Sequence, residues 1–485
     1  TGQDVTGPES ADPVPDGTVD VAPAVDRDSL RPVADAPAAG SRSRRGPLVR
    51  VGLVLVAAST LLGGPAAVAV DRQFWQPAGR SALTVNAPAA SAAENPGGSD
   101  ERRSAPSRAT REGDVGALRP TSVRARLQSV LSLQAAALLR GDETGFLAPA
   151  DPGNAALMGD LRRRFAVLRA LAVTGWSETL DGDPTPVDGG WQASVHIGYC
   201  FVVADCHPVP VEVDTRWLDG GESPIMVEFG SSGAAGLGPR PWEVSELTVA
   251  VGPRTIVAAP PGYADRVPDL LRAAENAAAV DDRYARWAPP PGRYVVYLAG
   301  PDEWGHWYGV HQAEWVAGFA MPITDQDTEI VLNGQRLVGS QVEDTLRHEF
   351  AHVVTLAGVH RDYTHQWWFV EGIAEYVRMA GRPLRDYELL ATARRYVRAG
   401  HDTELSGLAE PPAAISTEDA SGRYGVAFLT VRRLAERYGE DRMLRFFDEV
   451  VRRGVPPDQA STSDFGADWG EVARDCARYA RRNLS

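Results

Sequence analysis

The chain of 485 residues contains no lysine, so its 49 basic side chains are all arginine, against 64 acidic ones. The formal net charge of −15 provides no basic face of the kind that nucleic-acid-binding proteins present, which argues against that class of function. Alanine, glycine and proline are abundant, as in proteins encoded by GC-rich DNA. The number of arginines therefore indicates coding bias and no particular activity.

Cysteine is scarce too, with only Cys200, Cys206 and Cys476 in the chain. None of them lies near the histidine motif described below, so thiolate ligation of a metal is not indicated. Cys200 and Cys206 flank five residues and can close a small loop if this region lies in an oxidising compartment. Two ordinary buried thiols are the alternative.

One long run lacks charge, over residues 51–70, and an arginine cluster precedes it. Twenty helical residues span the roughly 30 Å of a bilayer core. We therefore expect a transmembrane helix or signal anchor over residues 46–70. Residues 1–45 are rich in aspartate, proline, alanine and glycine, so we expect them to form a disordered tail. Arginines before the helix predict a single-pass cell-membrane protein with a cytoplasmic N-terminus and extracytoplasmic C-terminal domains. A cleaved signal sequence and a buried core helix are the alternatives.

Residues 71–119 are rich in proline, alanine, serine and arginine, which predicts a flexible linker. Within residues 120–242, helical periodicity over 124–140 and 160–173 precedes a change to strand patterns. The strand patterns cover residues 191–197, 209–218 and 225–229. This order predicts an α+β domain. The phrase over residues 137–142, Ala-Leu-Leu-Arg-Gly-Asp, weakly resembles the opening of nuclear-transport-factor-like (SnoaL-like) cone domains, which often serve as binding or assembly modules.

Residues 243–485 form the last predicted domain. A hairpin pattern around Gly252-Pro253 and buried-strand patterns over 293–298 and 329–333 precede a region where helices dominate. The fold class of the whole chain is therefore predicted to be α+β. A helical pattern over 341–356 opens the helical region.

The 341–356 pattern contains His-Glu-Phe-Ala-His at residues 348–352. His348 and His352 are four residues apart on one helix face, where two imidazoles can share one zinc ion. Glu349 cannot be a third ligand from that face, and it is placed to take a proton from a metal-bound water. A catalytic zinc needs three protein ligands and an open position, and Glu371 is the candidate for the third.

Residues 353–370 separate His352 from Glu371-Gly372, and this spacing resembles that of the gluzincin metallopeptidases. The phrase over 368–376, Trp-Phe-Val-Glu-Gly-Ile-Ala-Glu-Tyr, is most similar to their bacterial peptidase MA-like branch. The resemblance covers about residues 245–455 and implies a zincin-type catalytic domain of a small mixed sheet plus helices. It implies Zn²⁺ bound by His348, His352 and Glu371, with Glu349 as general base.

The resemblance also implies two supporting residues. Glu375, one turn after Glu371, is expected to hydrogen-bond a ligand histidine and fix its orientation. Tyr424, in a segment that precedes a predicted helix over 431–438, resembles the downstream tyrosine that helps to stabilise an oxyanion. A surface glutamate and a core tyrosine are the respective alternatives.

One departure from the family pattern bears on specificity. Gluzincin aminopeptidases carry Gly-x-Met-Glu-Asn, whose glutamate binds the free amine of the substrate, whereas this chain has Gly318-Phe319-Ala320-Met321-Pro322. An endopeptidase acting on a peptide or protein therefore fits better, with the substrate between an edge strand at 329–333 and the 341–356 helix. The alternatives are a catalytically silent zincin-fold binding or assembly protein and a zinc hydrolase of a non-peptide bond.

Overall fold

The computed structural model describes residues 122–203, 206, 208–220, 223–233, 237–310, 312, 316–324, 327–359, 361–401, 403–405, 408 and 415–485. The predicted tail, membrane segment and linker lie outside the described residues. Among the helices that are described, none is both long enough and apolar enough to cross a bilayer. The mixture of helices and sheets agrees with the predicted α+β class.

Residues 122–242, here called the first unit, begin with helices and continue with an antiparallel sheet of order β1-β2-β3-β4. The helices are α1 (Val123–Arg140), α2 (Glu143–Leu147) and α3 (Ala155–Ala170), and α4 (Pro241–Val244) closes the unit. The strands are β1 (Val173–Val187), β2 (Gly190–Phe201), β3 (Val209–Leu218) and β4 (Ile225–Phe229). The strand patterns predicted for β2, β3 and β4 are confirmed.

Strand β1 was not predicted, and the helix expected to end at Val173 ends at Ala170 instead. The inward positions of β1 include the carboxylate of Glu178, and the residues after Leu180 are mostly exposed. A buried charge and an exposed second half hide the alternation of apolar and polar residues by which a strand is recognised.

Residues 243–485, the second unit, contain a mixed sheet of order β5-β6-β7-β9-β8. Its strands are β5 (Thr248–Val251), β6 (Thr255–Ala259), β7 (Tyr294–Ala299), β8 (Gly318–Pro322) and β9 (Thr328–Asn333). Strands β6, β7 and β9 are parallel, and β8 runs antiparallel along β9. The edge strand on this side is therefore β8. Our placement of the edge at 329–333 was wrong, because β8 precedes β9 in the chain yet lies outside it.

The helices of the second unit connect and follow these strands. They are α5 (Val267–Asp281), α6 (Pro301–Trp304), α7 (Gln341–Leu356), α8 (Trp367–Arg378), α9 (Leu390–Arg398), α10 (Thr417–Tyr438), α11 (Glu440–Phe447), α12 (Pro457–Phe465) and α13 (Trp469–Leu484). Helix α7 has the bounds that its apolar periodicity predicts. Helices α8 to α13 enclose their own apolar core.

The two faces of the second sheet pack against different partners. One face, including Ile330 and Leu332 of β9, shares an apolar cluster with α5 and α7. The opposite face, including Val331 of β9 with Phe319 and Met321 of β8, belongs to one continuous cluster with the core of the first unit. Strand alternation thus sends every second side chain toward the first unit. The first unit buries an apolar sheet face that would otherwise be exposed to water.

Cys200 at the end of β2 and Cys206 form a disulfide, with their Cα atoms 6.0 Å apart. This outcome selects the small closed loop over two free thiols. Cys476 is buried in α13 as a free thiol. A disulfide is typical of proteins in oxidising compartments.

A candidate metal centre between two helices

Two neighbouring helices carry the residues that the sequence motif singled out. His348 and His352 lie one turn apart on α7, and Glu371 and Glu375 lie one turn apart on α8. All four side chains are buried. The i to i+4 spacing on each helix directs its two side chains to the same face, and the two faces meet.

The ligand atoms of His348, His352 and Glu371 converge on one point. The Nε2 atoms of the two histidines are 3.2 Å apart, and the Glu371 Oε2 atom is 3.3 Å from the first and 3.7 Å from the second. Ligands about 2.1 Å from a tetrahedral zinc ion are separated from one another by about 3.4 Å. The spacing of the three atoms therefore fits a zinc ion, and these residues are a candidate metal site.

The hydrogen-bonding roles at His348 support this fit. Its Nδ1 donates to Glu375 Oε1 at 2.7 Å, so in the neutral ring the Nε2 lone pair points toward His352 and Glu371. Two imidazole lone pairs and a carboxylate facing one another require a proton or a metal cation between them. Burial lowers the pKa of His348, but its hydrogen bonds to Glu371 and Glu375 outweigh burial and raise the pKa to about 10.

Glu375 makes the contact with a histidine that the resemblance implies, and its burial excludes the surface-glutamate alternative. On its other side it accepts a bond from Arg378 at 3.3 Å, and Arg378 also donates to Glu388 at 2.9 Å. Burial raises the pKa of Glu375, but Arg378 and His348 outweigh it and lower the pKa to about 2. Glu375 is therefore ionised at neutral pH.

Arg378 was missed by our sequence analysis although its side chain is almost completely buried. It follows Glu375 by three residues on α8, in a helix whose other buried side chains, apart from Glu371, are apolar. An arginine three residues after a glutamate, in such surroundings, is the signal that predicts a buried ion pair.

Glu349 lies beside the ligands and has no side-chain hydrogen-bond partner among the described residues. It is fully buried, and the backbone N–H of Ala320 on β8 lies near its carboxyl group but outside good hydrogen-bond geometry. Burial raises its pKa to about 8, against the opposing influences of His348 and the Ala320 N–H. A Cβ atom at Gly318 of β8 would lie 3.2 Å from Glu349 Oε1, so the edge strand passes close to this carboxyl group.

Gly372, which follows Glu371, allows α8 to pack closely on α10. A Cβ atom at this position would lie 2.7 Å from the backbone oxygen of Ala427. A larger residue would push the two helices apart, and Glu371 would move with α8. This close approach explains why glycine stands beside the third ligand in the motif.

Tyr424 is buried on α10 and lies beside the candidate metal centre. Its ring centroid is 6.0 Å from that of His348 and 5.1 Å from that of Trp367. We expected it in a segment preceding a helix over 431–438, which was wrong. Helix α10 begins at Thr417, capped by the Ser416 side chain, and continues through two glycines. Gly422 and Gly425 pack against Tyr396 and Ala393 of α9, and this tertiary packing overrides their low helix propensity.

Asp281 is a second residue that sequence analysis missed. It ends α5 and is completely buried, with neither carboxyl oxygen bonded to a described residue. Burial raises its pKa well above the usual range, despite the nearby charges of Arg347 and His348. Burial therefore favours the protonated form of this carboxyl group. It follows an alanine-rich helix as an ordinary end-of-helix aspartate does, so the sequence gives no sign of its burial.

A second group of possible ligands lies on the outer face of the first sheet. His196 on β2 has Asp181 and Glu212 on either side, at 3.9 and 3.8 Å from its Nε2. Strand pairing brings the three together, which is not visible in the sequence. All three side chains are more than half exposed, so water satisfies them. The buried group on α7 and α8 is therefore the better metal site.

Comparisons with known proteins add little to this geometry. No family model matches the chain, and no curated protein matches it. Among solved structures, native yeast LTA4 hydrolase is similar with a TM-score of 0.27 and 12% identical residues. The match covers 64% of this chain and 58% of that chain. A likeness at this level carries no argument, and the roles of the site residues stay predictions.

Proposed function

We propose that the protein is a zinc-dependent peptidase in which His348, His352 and Glu371 hold the metal and Glu349 is the general base. The observation that carries the proposal is the buried Glu349 carboxyl group without a side-chain partner, next to three convergent ligand atoms. Leaving a buried carboxyl unpaired costs stability, on the order of 1–3 kcal/mol. Such a cost is expected where a group must remain available for a substrate or a water molecule.

When bound, a zinc ion would act as a Lewis acid on a carbonyl oxygen and would lower the pKa of water at its open position. Glu349 would take a proton from the attacking water and pass it to the leaving amine, acting first as base and then as acid. Its carboxyl group must be ionised for the first step. A metal cation held by the three ligands would lower the pKa of Glu349 from about 8 toward that state.

Strand β8 is the proposed binding surface for an extended peptide. It is an edge strand whose outer backbone groups are not paired by a described strand, and its Gly318 end lies against Glu349. Addition of a strand to such an edge would bring a scissile carbonyl toward the centre. Proline follows Met321 where a glutamate follows the methionine of the gluzincin aminopeptidase motif, and the lack of that amine-binding group favours an endopeptidase.

We further propose that the catalytic unit lies outside the cytoplasm and is tethered by residues 46–70. The arginines that precede this segment support the orientation, and the Cys200–Cys206 disulfide supports an oxidising compartment. A reporter that is active only when exported, fused after residue 485, tests this topology. An inactive, cytosolic reporter would contradict it.

The metal assignment is tested on the full chain, purified without a histidine tag, because the first unit covers the sheet of the second. We expect about one equivalent of zinc per chain and its loss in His352→Ala. His401→Ala is a matched control, since His401 is an exposed histidine 3.3 Å from Asp419. Unchanged zinc content in His352→Ala would disprove the assignment.

Activity is tested by incubating the zinc-loaded chain with a mixed peptide library, with and without a chelator. We expect cleavage within peptides that the chelator abolishes. Zinc binding without cleavage of any peptide would favour the silent binding or assembly protein. Hydrolysis of ester probes alone would favour a zinc hydrolase of a non-peptide bond.

A further inference from the structure

Another buried carboxylate lies in the sheet of the second unit, on the face opposite to α7 and the candidate metal centre. Glu329 of β9 is 4% exposed, and its two oxygens accept hydrogen bonds from two tyrosines. Tyr199 of β2 donates to Oε1 at 2.9 Å, and Tyr308 donates to Oε2. Tyr199 belongs to the first unit, so this carboxylate joins the two units. We call Glu329, Tyr199, Tyr308 and Arg240 the Glu329 cluster.

Arg240 provides the positive charge that this cluster needs. Its guanidinium lies over the Tyr308 ring, 5.3 Å from the centroid. Burial raises the pKa of Glu329, and Arg240 is the strongest of the opposing influences. A buried carboxylate is tolerated when hydrogen bonds and a nearby cation satisfy it, and removal of one partner is costly. The cluster is therefore a rigid connection.

The backbone of Tyr308 has a strained conformation at the residue whose hydroxyl donates to Glu329. Tyr308 has φ 60° and ψ 7°, in the left-handed region that non-glycine residues rarely occupy. Its N–H donates to the Pro239 carbonyl at 2.9 Å, which ties it to the segment that ends the first unit. Strain of this kind persists only where the surrounding structure maintains it.

The Glu329 cluster lies next to β8, the proposed substrate-binding strand. Glu329 pairs with Met321 of β8 in the antiparallel ladder. Met321 and Phe319 point into the core shared with the first unit, whereas Gly318 faces α7 and approaches Glu349. The face of β8 opposite to α7 therefore packs against the first unit.

We propose that Tyr199 and Glu329 are positioning residues that fix β8 for substrate binding, which makes the first unit a part of the peptidase cleft. The peptide substrate in this inference rests on the proposed function. The fixing of β8 by Tyr199 and Glu329 does not depend on it. It differs from the cone-domain expectation of a separate binding or assembly module. A shift of β9 relative to the first unit would displace β8, and with it the backbone groups that would pair with the peptide.

Tyr297 of β7 provides a matched control. It is fully buried on the same sheet face, and its hydroxyl has no hydrogen-bond partner among the described residues. Tyr199→Phe and Tyr297→Phe therefore remove the same atom from similar surroundings. Only the first leaves a carboxylate oxygen unpaired, so only the first should loosen β8.

The experiment compares these two variants of the full chain, with Glu329→Gln as a second test of the cluster. Hydrogen exchange is measured over residues 318–322 and, as a reference, over 294–299. Kinetics are measured with a peptide that the library identifies as cleaved. For Tyr199→Phe we expect exchange of 318–322 and KM to rise on the order of tenfold, with kcat and zinc content nearly unchanged.

Equal behaviour of Tyr199→Phe and Tyr297→Phe would overturn the inference. Exchange that rises as much over 294–299 as over 318–322 would also overturn it, because the cluster would then stabilise the whole sheet without positioning β8. If the unsubstituted chain cleaves no peptide, the proposed function fails instead. In that case selective loosening of 318–322 would still support the positional part of the inference.

Discussion

Glu349 and Glu329 are both buried in the second unit, yet their carboxyl groups have opposite surroundings. Neither oxygen of Glu349 has a side-chain hydrogen-bond partner among the described residues, whereas each oxygen of Glu329 accepts a tyrosine hydroxyl. Burial raises the pKa of both. The protein has therefore satisfied one buried acid with its own side chains and left the other available.

This difference separates two uses of a buried carboxyl group. A satisfied carboxylate holds structural elements together, and its loss destabilises the fold. An unsatisfied one lowers stability in the resting protein and can gain a partner only from a ligand, a metal-bound group or a substrate. Substitutions by glutamine should accordingly affect stability at Glu329 and turnover at Glu349.

The largest effect is expected for Glu349→Gln. Glutamine preserves the shape of the side chain but cannot accept the proton, so kcat should fall about 10³-fold or more while zinc stays bound. Glu343→Gln is the control on the same helix, since Glu343 pairs with Arg347 at 2.6 Å and not with the centre. If Glu349→Gln turns over substrate about as fast as the unsubstituted chain, Glu349 has no role in catalysis. The contrast drawn between Glu349 and Glu329 would then be wrong.

Tyr424→Phe tests whether a second group in this region acts on the substrate. If the hydroxyl stabilises the oxyanion, kcat should fall on the order of 10²-fold, with zinc content unchanged. Tyr438→Phe on the same helix is the control, because its ring stacks on Phe465 away from the centre. A change in kcat of less than about threefold would identify Tyr424 as a core residue.

Glu375→Gln addresses the satisfied part of the metal centre. The amide removes the negative charge that orients His348, so zinc affinity should fall roughly 10- to 100-fold. The measurement is competition with a chelator of known affinity. Glu388→Gln is the control, since Glu388 contacts Arg378 but no ligand histidine. Equal affinities in the two variants would show that Glu375 is structural only.

More of the site than of the surrounding fold could be predicted from the sequence. His348, His352, Glu371 and Glu375 lie on two helices, where spacings of four residues fix which side chains share a face. Helix α7 was predicted with its observed bounds for the same reason. Local periodicity carries this information, so one sequence is sufficient.

Features that depend on contacts between distant segments were not predicted. The order of β8 and β9, the pairing of Tyr199 with Glu329 and the burial of Arg378 all depend on packing across the chain. The shared core of the two units is of the same kind, because each strand pattern is compatible with either a helix or another domain covering it. Such arrangements follow from tertiary structure and leave no local signal.

A third buried acid, Glu178 of β1, is intermediate between the two that were compared, and its pH dependence sharpens the comparison. Trp176 Nε1 donates to its Oε1 at 2.7 Å, whereas its Oε2 has no partner among the described residues. Burial raises its pKa from 4.5 to about 8, with the Trp176 bond as a smaller opposing influence. The folded state thus favours the protonated form. Its contribution to stability is complete below pH 4.5 and is lost as pH rises through about 8.

Glu178→Gln keeps an acceptor for Trp176 and remains neutral at every pH. The free energy of unfolding, measured with urea at pH 5 and pH 8, should fall between these values by about 1–2 kcal/mol more in the unsubstituted chain than in this variant. Other titrating groups cancel in that difference. Glu212→Gln, an exposed position on the neighbouring strand β3, should leave the pH dependence unchanged. If Glu178→Gln also leaves it unchanged, Glu178 ionises without cost, and an unpaired oxygen does not by itself mark a group that is held ready for a ligand.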